Sequence, residues 1–207
     1  MAIQSLNDLN AMHLDVLTEI GNIGSGNAAT ALATLVNTVV DIEVPTIRLI
    51  DFSEVSDYLG DKDTVAVGMG VILEGDVQGM MLQVMQLNFV QKLVNTFYPK
   101  DLKSIDDIVE MDMSVLKEAS NITTAAYVNS LASMTGLFIN ISPPTDYTDT
   151  IDNILKIPAS NFSSIGKQAL FIDEKLTVGG TEVKSSMILV LEMDSLKTLF
   201  DKLSITY

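Results

Sequence analysis

The chain has 207 residues, 47% hydrophobic and 19% charged, enough apolar material for one large globular unit or two small ones and too much for a disordered chain. With 12 Lys and Arg against 27 Asp and Glu the net charge is −15, which opposes broad contact with nucleic acid or anionic lipid. The lack of cysteine excludes thiol catalysis, disulfides and thiolate metal sites, and a lone histidine, His13, excludes a polyhistidine centre, so no metal site is expected.

The start, MAIQSLNDLN, has neither a basic head nor a long apolar run. The most apolar stretches, Met80 to Met85 and Met187 to Leu191, fall far short of the roughly 20 residues of a membrane-spanning helix. A cytoplasmic protein without membrane insertion is expected.

Apolar periodicity predicts a long helix from Asn7 to Asn37, then a strand-like run from Ile42 to Ile50 broken at Pro45, then a short helix from Phe52 to Leu59. Thr64 to Leu73 and Val77 to Met85 are β-rich and joined by Glu74-Gly75-Asp76, the pattern of a hairpin. A helix from Leu87 to Phe97 follows. After a polar joint, Pro99 to Asp107, the order returns: long helix (Ile108 to Met134), strand (Leu137 to Ile141), short helix (Thr150 to Ile157). A second hairpin, Gln168 to Val178 and Glu182 to Glu192 around Gly179-Gly180, precedes a closing helix from Ser195 to Leu203.

The residues themselves repeat. A shift of 99 lays Leu14 to Ile23 over Met113 to Ile122, and Val, Leu, Glu, Asn and Ile coincide. Two copies are too few for a solenoid. The expected architecture is therefore α/β: one domain over residues 1–207, built from repeats of about 7–98 and 107–204. A pseudo-twofold relates the repeats, and their strands share one sheet.

At about 100° per residue, Asp15, Glu19, Asn22 and Gly26 fall within an arc of about 60° on the first long helix. Leu17, Ile20, Gly24, Ala28, Ala31 and Leu35 form the opposite, packing face. On the second long helix Ser114, Glu118, Asn121 and Ala125 point outward, with Leu116, Ala119, Thr123, Tyr127 and Met134 behind. A Glu and an Asn at i and i+3 on an exposed helix are ordinarily a solvated surface. Their recurrence in both halves points to a site. Asn offers an acceptor and a donor on a short side chain, so it orients a water it cannot deprotonate, which suits phosphoryl hydrolysis. The adjacent Glu is placed to pair with a partner's lysine.

Gly21, Gly24 and Gly26 together give up roughly 3 kcal/mol of helix propensity relative to Ala. Two readings stay open: bare backbone for the approach of another protein, or helix-on-sheet packing, which suits Gly24 best. The run from Gly21 to Gly26 is not a phosphate loop, because Asn27-Ala28 stands where Lys-Ser or Lys-Thr is needed and no strand precedes it. His13 lies on the apolar side as a packed residue, and the 11 methionines read as core fillers.

Asp15-x3-Glu19-x2-Asn22 and Ser114-x3-Glu118-x2-Asn121, with the stretch from Leu17 to Ala31, resemble the CheC-type phosphatases of chemotaxis. The duplicated layout extends that resemblance along the chain. It implies a six-stranded sheet with both long helices on one face. It also implies hydrolysis of the aspartyl phosphate of a CheY-type response regulator, and a monomer is expected. Glu19 and Asn22 would form one catalytic site and Glu118 and Asn121 the other, supported by Asp15, Ser114 and Gly26. The protein would need no cofactor of its own, Mg2+ being carried by the regulator. The second half departs from the family pattern at Ala119-Ser120 and Thr123-Thr124, so its site is expected to differ in activity. Pro143-Pro144 followed by Asp149 resembles the family's docking stretch for a CheD-type receptor deamidase; a plain helix cap is the other reading of Asp149. Two alternatives to the enzyme are a non-enzymatic adaptor on the same surfaces and a CheC-like portion of a flagellar switch, the latter with no added switch domain or docking peptide expected.

Overall fold

The computed structural model describes residues 11–162 and 168–203. The expected start of the first helix at Asn7 lies outside the described residues, as do parts of both repeat boundaries. From Ala11–Val36 the chain is α1, which stops where Asn37 takes a left-handed φ of 48°. There follow β1 (Val40–Ile42), β2 (Thr46–Asp51), α2 (Phe52–Leu59), β3 (Val65–Gly75), β4 (Gly79–Met85) and α3 (Leu87–Asn95). A 3-10 turn at Ile105–Asp107 leads into α4 (Glu110–Thr135). The second half then runs β5 (Ile139–Ile141), β6 (Thr145–Thr150), α5 (Ile151–Leu155), α6 (Ile157–Asn161), β7 (Gln168–Val178), β8 (Thr181–Leu191) and α7 (Met193–Lys202).

β1, β2 and α2 begin 99 residues before β5, β6 and α5, so the repeat seen in the long helices continues into the elements after them. Among the described residues all pairings are antiparallel, and the eight strands fill six positions: β1 with β2, then β7, β8, β4, β3, then β5 with β6. Each edge is one line of chain interrupted at proline, Pro45 on one side and Pro143-Pro144 on the other. Proline brings no N–H to a ladder, and an edge is where a sheet tolerates that loss. The edge strands of each half lie on the hairpin of the other: β1 and β2 pair with β7, β5 and β6 with β3. The sheet order therefore reads the same when the halves are exchanged, and the two repeats are interleaved.

Both faces of the sheet are covered. Residues alternate sides along a strand. Val67 and Met69 of β3 and Met85 of β4 pack with Leu32 and Val36 of α1 and Leu116 of α4. Ala66, Leu82 and Val84 face Val55 of α2 and Ile151 and Ile154 of α5. Hence the central strands read as continuous apolar runs.

Several expectations need correction. The sequence pattern assigns no element between Ile141 and Thr150, where β6 stands; its sequence, TDYTDT, shows little apolar alternation because it pairs with β3 on one side only and much of it is exposed. The first hairpin turns at residues 76–78 rather than 74–76, since Gly75 remains in β3 opposite Ile139. The short helix of the second half is two pieces, α5 and α6, with Pro158 in the first turn of the latter. Met134, expected on the back of α4, is exposed near the helix end. His13 is buried, its ring 4.6 Å from that of Phe200 on α7, and burial lowers its pKa. Among the described residues no helix is long and apolar enough to cross a membrane.

Candidate functional site

The outward arcs expected of the two long helices are present. On α1, Asp15, Glu19 and Gly26 are exposed and Asn22 is half-buried; on α4, Ser114 and Glu118 are exposed while Asn121 and Ala125 are half-buried. Each helix thus carries its own Glu and Asn at i and i+3, the carboxylate in solvent and the amide seated more deeply. The Asn22 Oδ1 is buried and accepts no hydrogen bond. A buried carbonyl left unmatched costs about 1–3 kcal/mol.

The packing separates the three glycines of α1. A Cβ at Gly21 would overlap the Ile47 side chain of β2, and one at Gly24 would lie 2.8 Å from Tyr127 Cε1 and closer still to Cδ1. A Cβ at Gly26 would meet nothing within 4 Å. Gly21 and Gly24 are therefore packing glycines, Gly24 against the partner helix rather than the sheet, and only Gly26 leaves bare backbone on the open side. The departures of the second half follow the same division. Ser120 and Thr123, at the positions of Gly21 and Gly24, are buried, with the Thr123 hydroxyl donating to the Ala119 carbonyl at 3.0 Å.

Beneath the two helices lies a polar cluster not foreseen from the sequence. Glu174 of β7 is 3% exposed and lies within hydrogen-bonding reach of Ser25 Oγ of α1 (2.9 Å) and of the Tyr127 hydroxyl of α4; the two hydroxyls are also in contact, so their two protons are shared among three oxygen pairs. Burial pushes the Glu174 carboxyl up to about 6 and, together with that carboxylate, raises the Tyr127 phenol. A signal existed: Leu170, Ile172, Leu176 and Val178 share the strand face of Glu174 and are apolar, which puts a carboxylate in a core register.

The second site has a wall that the sequence reading also missed. A cleft of about 480 Å³ beside α4 is lined by Ser114, Lys117, Glu118, Asn121, Ser142 and Pro143, among others. Lys117 spans to Asp146 of β6 in an ion pair of 2.6 Å, and this contact holds the Asp146 carboxyl below its ordinary pKa. With the 99-residue shift, Thr18 and Ile47 stand at these positions in the first half. Asp149 is exposed at the end of β6, where its carboxylate accepts from Asn153 Nδ2 (2.8 Å) and Thr150 N (2.7 Å), both of which lower its pKa. Thr150 in turn caps α5.

The model of the CheC-like family matches residues 12–48 and 111–145, two segments that begin 99 residues apart and each contain one Glu and Asn pair. Each of the two long helices thus lies in a match to the CheC-like family. Among the chain's relatives is a Bacillus subtilis protein named CheY-P phosphatase CheC, 29% identical over 198 residues that cover 94% of this chain and 95% of that protein. The crystal structure of Thermotoga maritima FliY superposes with a TM-score of 0.74 at 23% identity, over 95% of this chain and 98% of that one. A structure from Borrelia burgdorferi, a CheX–CheY complex with BeF3 and Mg2+, matches with a TM-score of 0.51 at 18% identity, over 82% of this chain and 96% of the matched one. At these identities the structures establish the fold of the family and nothing finer.

Proposed function

We propose that this CheC-like chain hydrolyses the aspartyl phosphate of a CheY-type response regulator. The observation that carries the reading is the duplicated pair, Glu19 with Asn22 and Glu118 with Asn121, outward on both long helices. The name of the Bacillus subtilis relative, CheY-P phosphatase, supports the reaction class. The Borrelia burgdorferi complex supports the class of partner.

In this mechanism the Asn side chain enters the regulator's phosphorylation site and aligns one water with the phosphorus. The water oxygen forms the new P–O bond as the bond to the aspartyl oxygen breaks. Inorganic phosphate and a free regulator carboxylate result, with the water's protons leaving on phosphate or to solvent. Mg2+, carried by the regulator and not by this chain, would offset the charge building on the phosphoryl oxygens. The Asn amide supplies position rather than basicity, because it has no accessible protonation. Glu19 and Glu118 lie in solvent one turn earlier on their helices, placed to hold a regulator lysine. Asp15 and Ser114 extend the stripe, and Gly26 lets the partner's backbone come close.

The reading extends to a monomer acting in the cytoplasm. It also includes docking of a CheD-type deamidase at Asp149, an exposed carboxylate on the sheet edge whose contact with Asn153 serves the cap of α5 as well. The test is loss of label from a phosphorylated CheY-type regulator with this protein at substoichiometric amounts. Multiple turnovers are expected, and none from a folded Asn22→Ala, Asn121→Ala double variant. Stoichiometric protection of the label would instead mark an adaptor.

A further inference from the structure

The two sites differ in charge as well as in helix packing. At the first, Thr18 stands one turn before Asn22, and its hydroxyl is spent on the Leu14 carbonyl at 2.8 Å. At the second, Lys117 stands one turn before Asn121, on the same side of the helix and in the same cleft. Its side chain is about two-fifths exposed, and its ammonium is held by Asp146 at 2.6 Å. That ion pair bridges α4 and β6. Both members of the pair also line a second hollow, with Ser114 and Glu110.

An anchored ammonium has consequences for a partner. An ammonium carries three N–H donors, and one carboxylate oxygen at 2.6 Å engages one side of it. Holding the stem in place reduces the rotamer entropy that a free surface lysine would lose on binding. The chain as a whole carries −15, so it repels an anionic phosphoryl group at long range. Lys117 sets one cation against the carboxylates of Asp146 and Glu118 beside Asn121 and so offsets part of that repulsion locally, which the neutral Thr18 cannot do beside Asn22.

We infer that Lys117 is a regulator-binding residue confined to the second site, donating to the anionic phosphorylated face of the regulator beside Asn121, with Asp146 positioning it. This rests on the phosphatase reading above. It makes the sites unlike in kind: the second binds the phosphorylated regulator more tightly at low salt, while bare backbone at Gly26 favours the first in the chemical step.

The test uses the full chain with the first site blocked by Gly26→Trp, a position with open space before it, and independently by Glu19→Lys combined with Asn22→Ala. In each background the affinity for a CheY-type regulator loaded with beryllofluoride is measured, together with KM and kcat for the phosphorylated regulator. Lys117→Thr, which installs the first site's residue, is expected to weaken binding and raise KM about fivefold at low salt while kcat stays within about twofold. Lys117→Arg should keep the affinity. Asp146→Asn, which removes the anchor but not the cation, should weaken binding less than Lys117→Thr. The effect of Lys117→Thr should fade as salt screens it. Unchanged affinity in Lys117→Thr overturns the inference, and so does equal loss in Lys117→Thr and Asp146→Asn, which would make the pair only a clamp on the cleft wall. If neither background binds the loaded regulator with Lys117 intact, the regulator reading itself fails at this site. Binding that ignores residue 117 sinks the inference alone.

Discussion

Replacing Glu174 by glutamine removes a buried ionisation while keeping an oxygen to accept from Ser25 and Tyr127. The wild-type carboxyl is pushed by burial from its ordinary 4.5 up to about 6. Below 4.5 it is protonated in the folded and the unfolded chain alike, and its full contribution to stability is present. As pH rises towards 6 the unfolded chain ionises first, so it binds fewer protons than the folded chain and stability falls. Above the folded value both are ionised, and the folded state bears the cost of a buried carboxylate. The difference between 6 and 4.5 corresponds to about 2 kcal/mol. The stability of Glu174→Gln minus that of wild type should therefore rise by about 2 kcal/mol between pH 4.5 and about pH 7.5, or about 4–8 °C in Tm for a chain of this size. Paired urea and thermal unfolding followed by far-UV circular dichroism across that range provides the measurement, and titrations shared by both proteins cancel in the difference. A difference that is flat with pH would refute the reasoning, since it would mean that Glu174 titrates alike in the folded and unfolded chain.

Three further expectations concern the helices. Asn22→Ala alone should leave a smaller residual turnover than Asn121→Ala alone, because Gly26 gives the first site a closer approach than Ala125 gives the second; single-variant kinetics at saturating regulator decide it, and equal rates would leave the glycines a matter of packing only. Charge reversal at Glu19 and Glu118 to Lys should raise KM more than it lowers kcat, and an unchanged binding constant for the regulator would remove the ion-pair role. Gly24→Ala should destabilise by about 1–3 kcal/mol through collision with Tyr127. By contrast, Gly26→Ala should stabilise by up to about 1 kcal/mol, because its Cβ meets only solvent. Chemical denaturation of both variants separates the two cases.

By itself the sequence determined the long helices, both hairpins, the repeat and the outward placement of both Glu and Asn pairs. These are local properties: a period of 3.6 or 2 residues says which side of an element turns away from the core before its neighbour is known. What the tertiary structure alone decided depends on residues far apart in the chain. Ser25 meets Glu174 across 149 positions, and Gly24 needs its missing side chain because Tyr127 of the other repeat occupies the space. β6 becomes a strand because β3 offers it an edge, its own residues having little apolar alternation to announce it. The Lys117 and Asp146 pair exists because the interleaved topology brings the edge strand alongside the helix. A helix face can be read from spacing, but the identity of what covers it, or leaves it open, is fixed only when the two repeats close on each other.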